Sequence, residues 1–290
     1  MSKIAVVGPG AIGGAMTAWL AQDKRHEVTV AARTAFESVT LETPDSGVLV
    51  AAPRVITSPE LATPVDWVLV ATKAYDSVGA SRWLPGFMGA NTYVAILQNG
   101  VEHVERFAPY LPVDRIVPVM VDYPAERSAP GKIRQRGRAR MVVATGVPGA
   151  AFVSLFSSTP LDVMQEPDFR TVVWKKLCFN SAGALSAVML KPAVISRHEG
   201  VADIMRAIVR ECVAVGLAEG ARLDGAIVEA VITGYRASPP DAVNSLHADR
   251  VAGRPMETDA RNGVIVRLGR KHGIPTPINE MVVAMLEAAA

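Results

Sequence analysis

The chain opens with an apolar run, Ile4–Gly8, that ends in glycine and gives way to a stretch of helical spacing, Ala11–Gln22. Further apolar runs follow at Val28–Ala32, Trp67–Thr72, Tyr93–Leu97 and Ile116–Val121, with short proline-bounded runs at Val48–Ala52 and Val55–Thr57. The longer runs are apolar at successive positions rather than at alternate ones. Such strands are buried on both faces, and helical segments between them predict a parallel sheet covered on both sides. The first half is therefore expected to be an α/β domain, a doubly wound sheet of Rossmann type.

Past Val121 the pattern changes. Pro130-Gly131 opens a polar stretch, Gly137 interrupts it, and Ala139–Ala144 is apolar again, which reads as an antiparallel hairpin appended to the sheet. Lys132, Arg134, Arg136, Arg138 and Arg140 recur at every second residue, so an extended backbone would put them on one face. An anion could bind such a stripe, but a solvated edge that discourages strand pairing is the favoured reading. From Asp168 onward the spacing turns helical, at Val172–Val188, Ala202–Glu219, Asp224–Tyr235 and Arg261–His272. Gly220, Gly234 and Gly273 stand where helices are expected to stop, and Pro239-Pro240 breaks the region once. The expected division is a Rossmann domain, residues 1–167, and an all-helical domain, residues 168–290.

Composition narrows the function. Thirty basic against 28 acidic side chains leave a net charge of +2, too small and too dispersed for a nucleic-acid partner. No apolar run reaches the ~18 residues of a membrane span. Two cysteines, Cys178 and Cys212, make no disulfide framework, and without a secretory leader the expected location is the reducing cytoplasm. The five histidines are scattered with no pair four apart, so no metal site is expected, and His272 reads as a helix-end residue rather than a catalyst.

Gly8-Pro9-Gly10-Ala11-Ile12-Gly13 is a G-x-G-x-x-G that follows a predicted strand and opens a predicted helix, the context in which the pattern binds a dinucleotide. Gly8 would allow the tight turn and Gly10 the approach of a pyrophosphate. Gly13 would allow close helix–strand packing, and the helix N-terminus would face the phosphates. An NAD site usually ends its second strand in a carboxylate that holds the ribose 2′-hydroxyl. Here that strand ends Val30-Ala31-Ala32-Arg33. An arginine can grip a 2′-phosphate that a carboxylate would repel, so NADP(H) is the expected cofactor.

Four further stretches carry chemistry. Ala71-Thr72-Lys73-Ala74-Tyr75-Asp76 and Leu97-Gln98-Asn99-Gly100 each follow a predicted strand, at the carboxyl edge where this fold binds ligands. In Trp174-Lys175-Lys176-Leu177-Cys178-Phe179-Asn180, Lys176 and Asn180 are four apart and share a helix face. Polar groups in so apolar a segment must face solvent or a polar cleft. Of the two lysines, Lys175 is the one expected to be exposed. Ser245 and Glu257 lie twelve residues apart, with Asp259, Arg261 and Asn262 close by as supporting groups.

In order and spacing these pieces resemble the ketopantoate reductase family over nearly the whole chain. The resemblance implies NADPH-dependent reduction of 2-dehydropantoate to pantoate, in pantothenate and coenzyme A biosynthesis, in a cleft between two domains. It implies Lys176 as general acid, with Glu257 orienting it or receiving a substrate hydroxyl. Asn180 and Ser245 would bind substrate oxygens, Asn99 would sit between nicotinamide and substrate, and Lys73 would add positive charge. An ordinary lysine, with a pKa near 10.4, is protonated at neutral pH and can donate. Two positions depart from the family: Ala184 and Ala193 stand where it usually carries asparagines. That loss points to an alternative substrate, a less polar 2-oxo acid. A non-catalytic NADP(H) sensor is the other alternative, disfavoured because a sensor needs no proton donor. A homodimer is left open.

Overall fold

The computed structural model describes residues 1–289. The chain divides into two units, Met1–Gln98 with Glu102–Phe169, and Asn99–Val101 with the chain from Arg170 onward.

The first unit contains twelve strands and five α-helices among the described residues. In chain order they are β1 (Ser2–Val7), α1 (Ala11–Leu20), β2 (His26–Ala31), β3 (Val39–Thr43), β4 (Gly47–Ala51), β5 (Arg54–Ile56), β6 (Trp67–Val70), α2 (Ser77–Ser81), α3 (Leu84–Phe87), β7 (Tyr93–Ile96), α4 (His103–Phe107), β8 (Ile116–Asp122), β9 (Ala125–Ala129), β10 (Lys132–Gln135), β11 (Arg140–Ala144), α5 (Val147–Leu155) and β12 (Asp162–Glu166). The main sheet runs β12-β11-β8-β7-β6-β1-β2-β5. Its strands from β5 to β8 are parallel, while β11 runs antiparallel to β8 and carries β12 parallel beside it.

The unbroken apolar runs have the expected cause. Ile4, Val6, Val30, Leu69 and Ala95 pack into one core, and their sequence neighbours Ala5, Val7, Ala31, Val68, Val70, Val94 and Ile96 pack into a second core. Successive side chains point to opposite faces of a strand, so a sheet buried on both faces needs apolar residues at every position.

A second sheet, β4-β3-β10-β9, corrects the expected hairpin. The turn at Pro130-Gly131 does join two antiparallel strands, β9 and β10, with Gly131 at a φ of 70°. They do not extend the main sheet, because β10 pairs in parallel with β3 instead. Val39, Leu41 and Ile133 turn their apolar side chains to the core that Ala15, Met16 and Trp19 of α1 also enter. The segment Ala139–Ala144, expected as part of the hairpin, supplies β11 to the main sheet. The basic stripe does not form one continuous strand face, since Arg136 and Arg138 lie between β10 and β11. Arg134 pairs with Glu42 at 2.6 Å, Arg136 with Glu126, and Arg140 with Asp162 at 3.5 Å, all exposed. Exposed pairs of this kind add at most about 1 kcal/mol each. They make the stripe solvated and charge-paired, as favoured, but it guards no edge, because β10 lies between β3 and β9 and β11 between β8 and β12.

The second unit is helical: α6 (Phe169–Ala182), α7 (Ala184–Met189), α8 (Glu199–Ala218), α9 (Ala226–Ala237), α10 (Ser245–Val251), a π-turn (Asp259–Gly263), α11 (Val264–His272) and α12 (Pro277–Ala288). In α8, Ala202, Met205, Ile208, Val209, Cys212, Val215 and Gly216 are buried, the three-and-four spacing of an inward helix face. Two glycines differ from expectation. The run Val172–Val188 is divided at Gly183, where a Cβ would come within 2.2 Å of the Tyr235 hydroxyl oxygen. Gly234 does not stop a helix. It lies inside α9, and a Cβ there would stand 2.9 Å from the Phe179 ring, so its role is close packing of α9 on α6. Gly273, at a φ of 67°, does end α11.

A buried polar network locks the π-turn in place. The Asn262 amide donates to the Ser181 carbonyl at 3.2 Å and to Asn279 Oδ1 at 2.9 Å. Glu211 in turn accepts from the backbone N–H groups of Ile278 and Asn279, both at 2.9 Å, at the start of α12. Partners of this kind offset much of the cost of enclosing these groups, with Asn262 Oδ1 alone among them left buried and unpartnered. No helix among the described residues is long and apolar enough to cross a membrane.

Candidate active site

The glycine turn lies between β1 and α1, as expected, and its three glycines answer to different demands. Gly8 has a φ of 89°, and a Cβ on it would stand 2.7 Å from the Thr72 side chain. A Cβ on Gly13 would lie 2.2 Å from the Gly8 carbonyl oxygen. Gly10 has an ordinary φ of −73°, and a Cβ there would meet no protein atom within 4 Å. Neither conformation nor protein packing requires glycine at position 10. What it preserves is open space before the first turn of α1, whose leading N–H groups have no partner within the helix. The residues fit a pyrophosphate placed against that turn. Pro9, Ala11 and Ile12 complete the turn and the first helical residues. Arg33 follows β2 by two residues, is exposed, and makes no ion pair among the described residues.

Lys73 precedes the 3₁₀ turn Ala74–Asp76 and is half-buried. Gln98 explains how its segment and the Leu97-Gln98-Asn99-Gly100 turn are joined. Its amide nitrogen donates to Thr72 Oγ1 at 3.0 Å and to the Lys73 carbonyl at 3.2 Å, and its amide oxygen accepts from the Ser77 hydroxyl at 3.0 Å.

Asn99, the next residue, groups with the helical unit. Its Oδ1 accepts from Lys176 Nζ at 3.3 Å and its Nδ2 donates to Glu257 Oε2 at 3.0 Å. One carboxamide therefore links the ammonium to the carboxylate. Lys176 is half-buried on α6 and Lys175 is exposed, as the spacing predicts. Glu257 is buried and directly precedes Thr258 and the π-turn. Asn180, one helical turn beyond Lys176, is half-buried, and its side-chain amide makes no hydrogen bond with any other described residue. Ser245 is exposed at the start of α10, where Asn244 accepts from the His247 N–H at 3.0 Å. Ser245 Oγ accepts from Arg261 Nη2 at 2.8 Å.

Tyr235, beside the same stretch of α6, was not anticipated from the sequence. Its hydroxyl donates to the Phe179 carbonyl at 2.9 Å, and burial pushes it up to about 12 while the nearby Arg261 charge opposes that shift. A lone tyrosine within a predicted helix gives no signal of this placement. No group of three or more potential metal ligands occurs among the described residues. Ala184 and Ala193 correct another expectation. They are 0% and 5% exposed. Their methyls fill enclosed space and do not form an accessible apolar wall, so these two positions do not favour a less polar substrate.

The family described as Ketopantoate reductase PanE/ApbA matches residues 4–147, and its C-terminal counterpart matches residues 168–290. The chain belongs to the ketopantoate reductase family. Within that family it is similar to the 2-dehydropantoate 2-reductase of Caulobacter vibrioides, 57% identical over 290 residues that cover all of both chains. A solved PanE/ApbA family ketopantoate reductase from Ralstonia eutropha JMP134 is 30% identical with a TM-score of 0.91, covering 99% of this chain and 98% of that one. The dimeric ketopantoate reductase from Staphylococcus aureus shares the fold at a TM-score of 0.89, with 21% identity and coverage of 99% and 98%.

Proposed function

We propose that this protein is an NADPH-dependent 2-dehydropantoate 2-reductase, reducing ketopantoate to pantoate for pantothenate and coenzyme A biosynthesis. The observation that carries the reading is the hydrogen-bonded chain Lys176–Asn99–Glu257, with the unengaged amide of Asn180 one turn away on the same helix. Residues 1–167 hold the nucleotide, through Gly8, Pro9, Gly10, Ala11, Ile12, Gly13, Arg33 and Lys73. Residues 168–290 hold the substrate. Bound NADPH supplies a hydride to the keto carbon.

The keto oxygen gains negative charge as that carbon is reduced, and Lys176 delivers the proton it needs. Asn99 holds the ammonium by its amide oxygen while the Glu257 carboxylate holds the other end of the same amide. The proton donor is thereby aimed by groups on two other segments of the chain. Asn180 and Ser245 hydrogen-bond substrate oxygens. The enzyme works in the cytoplasm as a homodimer, to be checked by light scattering.

The test is a panel of 2-oxo acids, followed by loss of NADPH absorbance. Ketopantoate is expected to have the highest kcat/KM, and NADH to serve poorly in place of NADPH. Tight NADPH binding without turnover of any 2-oxo acid would overturn the reading in favour of a sensor. A higher kcat/KM on a substrate lacking the pantoyl hydroxyl would transfer it to a paralogous reductase.

A further inference from the structure

Arg261 is the one fully enclosed arginine among the described residues, 4% exposed, on the second turn of chain after Glu257. The other arginines of its region show what an arginine here ordinarily does. Arg254 pairs with Asp249 at 2.9 Å, Arg267 with Asp259 at 2.6 Å and Arg206 with Glu229 at 2.8 Å. Those three keep much more contact with water than Arg261, or lie against exposed carboxylates, and so need a partner less. Arg261 has no carboxylate partner among the described residues. Its side chain makes one hydrogen bond with the described residues, from Nη2 to Ser245 Oγ, and its Nε is buried with no partner.

A guanidinium taken out of water without a counter-anion is costly, and proteins rarely keep one without a use. The single group it does touch is exposed. Ser245 Oγ accepts from the cation, which leaves its own O–H free to donate, and it donates to no other described residue. A hydroxyl that receives a hydrogen bond from a cation is polarised as a donor. The pair therefore presents to solvent a single strong donor with a fixed positive charge behind it. That is the chemistry that recognises a carboxylate. The pair also adjoins the reacting groups. Asn262, next to Arg261, is hydrogen-bonded to Ser181, and the Arg261 charge is felt at Tyr235, whose hydroxyl rests on Phe179. Those contacts lie on α6 within two turns of Lys176 and one turn of Asn180.

We propose that Arg261 is a positioning residue that makes Ser245 the receptor for the carboxylate of the 2-oxo acid substrate and supplies the countercharge behind it. The proposal rests on the reductase reading above and names the group that would select acids over neutral ketones. Ser245 touches the carboxylate, and Arg261 acts through it. Arg261 has no part in the proton transfer, so its effect falls on KM rather than on kcat.

The experiment compares wild type with Arg261→Met and Arg261→Lys. For Arg261→Met, KM for 2-dehydropantoate is expected to rise on the order of 10- to 100-fold, with kcat and NADPH affinity little changed. Inhibition by the anionic product, D-pantoate, should weaken by the same factor, while inhibition by the neutral D-pantolactone should stay as in wild type. Arg261→Lys keeps the charge and should recover part of the KM. Because the buried cation lacks a counter-anion, the melting temperature of Arg261→Met without substrate should be unchanged or raised. Loss of folding, a fall in melting temperature, a fall in kcat at constant KM, or equal weakening of pantoate and pantolactone would each overturn the proposal. Failure of wild type to reduce 2-dehydropantoate would instead overturn the reductase reading, and is visible before any variant is made.

Discussion

The glycine turn and the Lys176 cluster solve recognition by opposite means. The turn uses backbone. Its specificity is the removal of side chains at Gly8, Gly10 and Gly13, and six consecutive residues contain all of it. The cluster uses side chains and draws them from separate segments: Asn99 after β7, Lys176 and Asn180 on α6, Ser245 on α10, Glu257 and Arg261 around the π-turn. A backbone site is cheap to specify, because three glycines at fixed offsets provide the turn at Gly8, the open space at Gly10 and the close packing at Gly13. A side-chain site depends on the packing of every element that carries a member. The first tolerates change in its surroundings but not in its own letters, and the second is sensitive to both.

That contrast can be broken most directly at Lys176. Lys176→Ala is expected to lower kcat on the order of 10²–10⁴-fold with the dissociation constant for NADPH unchanged, measured by stopped-flow turnover and by cofactor fluorescence titration. Parallel loss of cofactor affinity would mean that the two regions are not separable. Arg33→Ala sharpens the nucleotide side. A charge-assisted contact contributes about 1.5–3 kcal/mol, so NADPH should bind roughly 10- to 100-fold less tightly and NADH almost unchanged. Equal weakening of both cofactors would remove Arg33 from the 2′-phosphate.

Within the turn, Gly10→Val and Gly13→Ala should part company. Gly10→Val puts its Cβ where no protein atom lies within 4 Å, so the melting temperature should hold while NADPH affinity drops by about tenfold or more, roughly 1.4 kcal/mol. Gly13→Ala drives a Cβ into the Gly8 carbonyl and should cost about 1–3 kcal/mol of stability in denaturant unfolding. If Gly10→Val unfolds the protein, the space beside it matters to the chain itself. The smallest effect is expected at Lys175→Ala. This exposed neighbour of the proton donor should change kcat/KM by less than about twofold, within the usual range for surface substitutions. A larger loss than at Lys176 would shift the register assigned to α6.

Much of this was legible in the letters because it is local. The β1–α1 turn and the doubly buried strands follow from spacing within a few residues, whereas the choice of Lys176 as the site lysine comes from the family resemblance. Strand β3 was missed because Val39 and Leu41 alternate with Thr40 and Glu42 over only five residues, a weak signal for a strand covered on one face. Which sheet the β9–β10 hairpin joins depends on Ile133 reaching the core around α1, a contact between distant segments that no spacing encodes. Gly234 reads as a helix stop in sequence because glycine is a poor helix former. Only the proximity of Phe179 explains its place inside α9. Ala184 and Ala193 misled for the same reason: a lost amide is visible in the sequence, but whether its position lines a cleft or is enclosed is not.

The π-turn at Asp259–Gly263 has a consequence best put in terms of helical phase. An ordinary helix advances each side chain by about 100°, so its inward and outward positions are locked into one repeat. One wider turn resets that repeat. Here Arg261 reaches Ser245 on α10, its neighbour Asn262 reaches Ser181 and Asn279, and Val264, Ile265 and Leu268 still seat α11 in the core. The wider turn acts as a clutch between two rotations, one set by the polar cluster and one by the apolar packing. Removing a single residue from it would restore a uniform helix and force the two back into one phase, so that either the cluster or the core would face the wrong way.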